Sequence, residues 1–105
     1  MAAPYNPPTK GEDFKIRVQL RDMNVAGSFK AAPTIATGDF KVDIDGGGLT
    51  NLATLPTVSP AGSTWVVITL SASEMNGDVI AVQAIDQTVP KEWADWGLCI
   101  PTSAP

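Results

Sequence analysis

The chain has no histidine and a single cysteine among its 105 residues. Without histidine there is no Ser-His or Cys-His nucleophile pair, no imidazole base and no His-containing zinc site. One cysteine, Cys99, excludes an internal disulfide and cannot by itself build a thiolate metal site. It stands in the strand-like run WGLCI, where a free thiol is expected to be buried as a small hydrophobe. Positive charge is also scarce: seven Lys and Arg face eleven Asp and Glu, for a net charge of −4. No basic stripe exists to drive counterion release, so nucleic acid is not an expected direct partner. No apolar run approaches the roughly 20 residues that span a bilayer, so no membrane partner is expected. The opening MAAPYNPPTKGEDF has neither a basic n-region nor an apolar h-region, which predicts a protein made and folded in a cytoplasm.

What is present describes one small folded domain. Hydrophobic residues make up 44% and charged residues 17%, with nine Gly and nine Pro to make turns. Residues 1–12 carry Pro4, Pro7 and Pro8 around Tyr5 and Asn6, a spacing that favours an extended arm. Such an arm is either a disordered leader or a segment that lies on a neighbouring subunit, with Tyr5 as its anchor. Asp13–Leu20 then alternates cleanly: Phe14, Ile16, Val18 and Leu20 against Lys15, Arg17 and Gln19. A long connection, RDMNVAGSFKAAP, follows, with Phe29 expected to fold back onto the core. Asp39–Ile44 alternates again and ends in DGGG, a tight reversal.

Leu49, Leu52, Leu55 and Val58 are spaced by three and predict a short irregular strand before a loop through SPAGS. Trp65–Leu70 is apolar on both faces. It is either a central strand between two covered faces or a strand whose outer face, with Trp65 and Val67, meets another subunit. In SASEMNGD, Ser71 and Glu74 have the S-x-x-E spacing of a capping box, and Asn76-Gly77 supplies an exit. One helical turn near residues 72–76 fits, crossing between sheets with Met75 plugging the core. Asp78–Asp86 and Trp96–Ile100 complete about six or seven strands. The predicted fold is an all-β, immunoglobulin-like antiparallel sandwich over residues 13–101, with the 1–12 arm and a tail at 102–105 as extended termini.

Few groups remain for chemistry. Asp39, Asp43, Asp45, Glu74, Asp78, Asp86, Glu92 and Asp95 include possible acid–base pairs, but most fall at turns and strand edges. The string D-x-D-G at 43–46 lacks the twelfth-position Glu of a calcium loop, since twelve from Asp43 is Thr54 and twelve from Asp39 is Thr50. Glycines 46–48 lack the lysine and helix of a phosphate loop. No catalytic residue, cofactor or metal is expected, and the chain is not expected to be an enzyme. Trp65, Trp93 and Trp96 have three readings: core packing, anchors of a subunit interface, or a platform for sugar rings.

Four stretches together resemble small virion proteins of tailed bacteriophages: PYNPPTKGEDFKIRVQLRD, GDFKVDIDGGGLTNLATLP, VSPAGSTWVVITLSASEMNGDVIAVQAIDQT and KEWADWGLCIPT. In these a D-G-G turn is followed by L-x-x-x-E-M-N-x-D-V, here Leu70, Glu74, Met75, Asn76, Asp78 and Val79. The resemblance covers roughly residues 5–102 and implies a non-enzymatic structural protein located in the virion, with an immunoglobulin-like sandwich. It implies a capsid decoration or minor capsid protein that binds the head lattice, or else a tail or fibre adaptor; a glycan-binding adhesion module belongs to another class. Expected partners are the major capsid protein or other virion subunits and further copies of itself, a trimer by analogy with decoration proteins. Candidate interface residues are Tyr5, Pro7, Pro8, Trp65, Val67, Trp93 and Trp96.

Overall fold

The computed structural model describes residues 7–104, so Tyr5 lies outside the described residues. Seven strands form: β1 Phe14–Gln19, β2 Phe40–Ile44, β3 Thr50–Asn51, β4 Thr57–Val58, β5 Trp65–Leu70, β6 Val79–Ala84 and β7 Trp96–Pro101. They build two antiparallel sheets, one in the order β1-β5-β4 and the other β3-β2-β6-β7. With β1 lettered B and β7 lettered G, these are the B-E-D and C′-C-F-G sheets of an immunoglobulin-like sandwich. The fold expected from alternation is the fold observed.

Alternation sets which face is buried. In β5, Val66, Ile68 and Leu70 are fully covered while Trp65 points outward; in β6, Ile80, Val82 and Ala84 face in. β1 pairs with β5 from Phe14–Leu70 to Gln19–Trp65, and β2 with β6 from Phe40–Ala84 to Ile44–Ile80. A one-residue slip in either ladder would turn the whole apolar set to solvent, so the core fixes the register. Phe40, Met75 and Trp93 fill the space between the sheets.

Residues 71–76 are one hydrogen-bonded turn rather than a helix. The Met75 N–H donates to the Ser71 carbonyl, and the capping box forms in both directions. The Glu74 N–H donates to Ser71 Oγ at 3.2 Å, and the Ser71 N–H donates to Glu74 Oε1 at 2.9 Å. Met75 plugs the core with no exposed surface. Gly77 ends the turn where there is no room for a side chain. A Cβ there would stand 2.5 Å from Ile44 Cγ2 and 2.8 Å from Asp45 Oδ2.

Three expectations need correction. The leucine-spaced run is two separate two-residue strands, because the chain crosses between sheets at the buried Pro56, which has no N–H to pair. Phe29 is 45% exposed: the chain at 28–30 pairs back on Leu20–Asp22, which carries its ring away from the core. Cys99 is exposed, because Leu98 and Ile100 take the inward positions of β7 and leave Gly97 and Cys99 to the outer face.

The ends of the described chain are fastened to the sandwich. Thr9 bridges Ser103 in parallel, Lys10 and Ser103 exchange bonds with their neighbours across that bridge, and the Gly11 N–H donates to the Met75 carbonyl. Residues 8–10 of the expected arm and Ser103 of the expected tail therefore dock on each other, and Gly11 docks on the turn at Met75. No helix among the described residues is long and apolar enough to cross a membrane.

Candidate functional site

Carboxylates are the first place to look for chemistry, and the structure assigns most of them to turns. Asp39 is buried and accepts the Ala36 and Gln87 N–H groups. Asp43 holds the Gly46 and Gly48 N–H groups inside the reversal after β2. Asp45, in the left-handed conformation at φ 53°, accepts from both Asp78 and Val79 at 2.9 Å. Glu74 takes the Ala53 N–H as well as that of Ser71, tying the 52–56 crossing to the 71–78 connection. Asp22 and Glu92 do the same for Asn24 and Thr34.

Asp86 shows the electrostatic balance. Burial would raise its carboxyl pKa, but the backbone N–H groups of Glu92, Thr88 and Trp93 and the Thr88 hydroxyl favour the anion. The result is a carboxyl below its ordinary value, with bonds of 2.7 Å from Glu92 and 2.9 Å from Thr88. A carboxylate held this way is a poor proton acceptor, since its lone pairs are already used. No buried side-chain polar atom lacks a partner among the described residues, and no cluster of three or more metal-ligating side chains is found among them.

The six candidate interface residues among the described residues do not form one site. Pro7 and Pro8 lie beside Ser103, at the end of the sandwich where β1 begins. Trp65 and Val67 share the outer face of β5, at and near the opposite end. Arg17, from the neighbouring strand, lies 5.0 Å over the Trp65 ring and also donates to the Ser59 carbonyl. Trp93 is removed from the set as a surface group. It is fully buried, 5.7 Å from the Phe40 ring, with its Nε1 donating to the Thr34 carbonyl at 3.2 Å. Trp96 turns inward as well, opposite buried Ala84 and 6.3 Å from Phe40.

A sugar platform needs at least two coplanar exposed tryptophans on one face. The described residues offer only Trp65, and one side of its ring already carries Arg17.

The sequence pattern missed a different apolar set. Met23 is 52% exposed and Val25 53%, both in the 20–39 connection with Phe29, and Val89 in the 85–95 connection is 94% exposed. These connections are tied together. The Met23 N–H donates to the Glu92 carbonyl, the Ala94 N–H to the Arg21 carbonyl, and the Ala32 N–H to the Ser63 carbonyl of the 59–64 connection. The result is one braced end of the sandwich bearing large apolar side chains, with Trp65 at its border. Alternation has no purchase on turn-rich segments; the available signal was apolar residues set among Asp, Asn, Gly and Pro, as in DMNVAG and TVPK.

A second surface lies on the outer face of the four-stranded sheet. A shallow open trough of about 680 Å³ runs over Ala81, Gln83, Gly97 and Cys99, with Leu49 and Asp43 at one side. It is formed by small side chains on neighbouring strands and encloses nothing. Comparison with protein-family models, curated proteins and solved structures finds no significant match to the chain.

Proposed function

We propose that this chain is a non-enzymatic structural protein of a phage virion, a capsid decoration or minor capsid protein that binds the head lattice through its surface. The observation that carries the reading is the braced end bearing Met23, Val25, Phe29 and Val89. Large apolar side chains held on fixed loops suit contact with a preformed protein surface, because little conformational entropy remains to be lost on docking. The resemblance of residues 5–102 to virion proteins supplies the kind of partner: the major capsid protein. At about 25 cal/mol per Å² of apolar surface, a modest contact repeated over a symmetric shell adds up to substantial stabilisation.

The test uses purified protein and expanded empty capsids. Co-sedimentation with the shells and a rise in their melting temperature support the reading. Absence of binding to heads overturns it. Binding confined to tails or to one vertex would instead make the chain a tail or fibre adaptor.

A further inference from the structure

The outward side chains of the three-stranded sheet can be named from its pairing. Trp65 stands opposite Gln19, Val67 opposite both Arg17 and Thr57, and Thr69 opposite Lys15. Their alternate neighbours, Ile16, Val18, Val58, Val66, Ile68 and Leu70, belong to the core. This outer face therefore carries two cations, and none of its seven residues is acidic. Asp13 precedes β1 at the Lys15 end and lies outside the ladder. The outer face of the four-stranded sheet differs, because Lys41 and Asp43 stand there on one strand and offset each other.

Neither Lys15 nor Arg17 takes part in an ion pair among the described residues. The pairs formed there are Lys10–Asp78 and Lys91–Asp95. On a chain of net charge −4, the face is a local surplus of positive charge. Arg17 is also held in place. Its guanidinium lies 5.0 Å over the Trp65 ring and donates to the Ser59 carbonyl at 3.1 Å. That is its single side-chain bond among the described residues, and the remaining N–H donors of the fork face outward chemistry. Gln19 is fixed beside it, its Nε2 donating to the Thr64 hydroxyl at 2.7 Å. Arg and Trp, preorganised on strands and partly exposed, have the composition of a binding hot spot.

We propose that the outer face of β1, β5 and β4 docks an extended acidic segment of a partner protein. Charge complementarity selects the acidic occupant, and spacing selects its form. Lys15 and Arg17 are two residues apart on one side of a strand, about 7 Å at the usual rise. Carboxylates at alternate positions of an extended segment repeat at the same interval. One carboxylate takes the Arg17 fork and the next meets Lys15. Trp65 and Val67 exclude water beside the pairs and so strengthen them. A segment without those carboxylates would cover both cations and leave them unpaired, which gives the face its selectivity. The inference is independent of the capsid reading, which rests on the tips of other connections.

NMR of the full chain with an acetylated Glu-Val-Glu-Val-Glu peptide, and a Gln-Val-Gln-Val-Gln control, tests it. Shifts should centre on the amides of residues 15–19 and 65–69 and on the Trp65 indole, and be absent with the control. Affinity should fall about tenfold between about 0.01 and 0.15 M salt. Arg17→Gln and Lys15→Gln should each weaken binding about tenfold at unchanged melting temperature. No shifts at this face, or equal shifts with the control, overturn the proposal. Tighter binding of heparin to the same residues also overturns it, since the occupant would then be a sulfated glycan. Should Arg17→Gln lower the melting temperature, Lys15→Gln decides: weaker binding by that variant supports the docking, and unchanged binding refutes it.

Discussion

The two ends of the sandwich solve the same problem with different materials. At the end that holds the 45–49 and 71–78 connections, the turns are short, and Asp43, Asp45 and Glu74 bind their backbone N–H groups. Residues 8–10, paired with Ser103, brace them from outside, with Lys10 reaching Asp78 at 3.2 Å. At the other end, connections 20–39 and 85–95 are long enough to pair with each other, and they lift Met23, Val25, Phe29 and Val89 into solvent. The first end has little freedom to change. The second can vary its tips without disturbing the strands.

The largest expected effect tests whether the end bearing the exposed apolar tips depends on a buried anchor. Trp93→Ala empties the space beside Phe40 and orphans the Thr34 carbonyl, and should cost about 3–5 kcal/mol in urea unfolding. A loss below about 1 kcal/mol would mean the long connections hold themselves. Gly77→Ala tests the closed end, where the new methyl meets Ile44 and Asp45; about 1–3 kcal/mol should be lost. Glu74→Gln keeps the volume and one acceptor but gives up a charged acceptor shared by two N–H groups. It should destabilise by about 1–2 kcal/mol.

Acid separates the contributions further. The folded-state pKa of Asp86 is depressed, so its contribution is fully present above its ordinary value of 3.8 and is lost as pH falls through the folded value. Asp86→Asn should therefore be less stable than the parent at neutral pH, and the gap should narrow below pH 3.8; a constant difference across that range would contradict the assignment. The smallest effect on stability is expected at the tips. Phe29→Asp and Val89→Asp should each change unfolding by no more than about 0.5 kcal/mol; under the proposed function, they should also weaken binding to capsids. If binding survives both, the contact surface lies elsewhere.

Much of this was legible in the residues, for physical reasons. β1, β2, β5 and β6 each bury one face, so period-two alternation marks them, and Ser71-x-x-Glu74 announces its own hydrogen bonds. The same rule applied to WGLCI would have put Cys99 outside, since Leu98 and Ile100 cannot share a face with it. Trp93 was not legible: it stands in a loop, and its burial depends on Thr34 and Phe40, both more than fifty residues away in sequence. The exposed apolar end was hidden because exposure at a tip leaves no periodic trace.

The carboxylate-held turns bear on how the surface charge of this protein can drift. Of eleven acidic residues, seven (Asp22, Asp39, Asp43, Asp45, Glu74, Asp86 and Glu92) accept main-chain N–H groups. The negative charge of the molecule is thus largely masonry. Electrostatic adaptation to a new neighbour would have to proceed through lysines and arginines, gained or lost, rather than through acids the turns cannot spare.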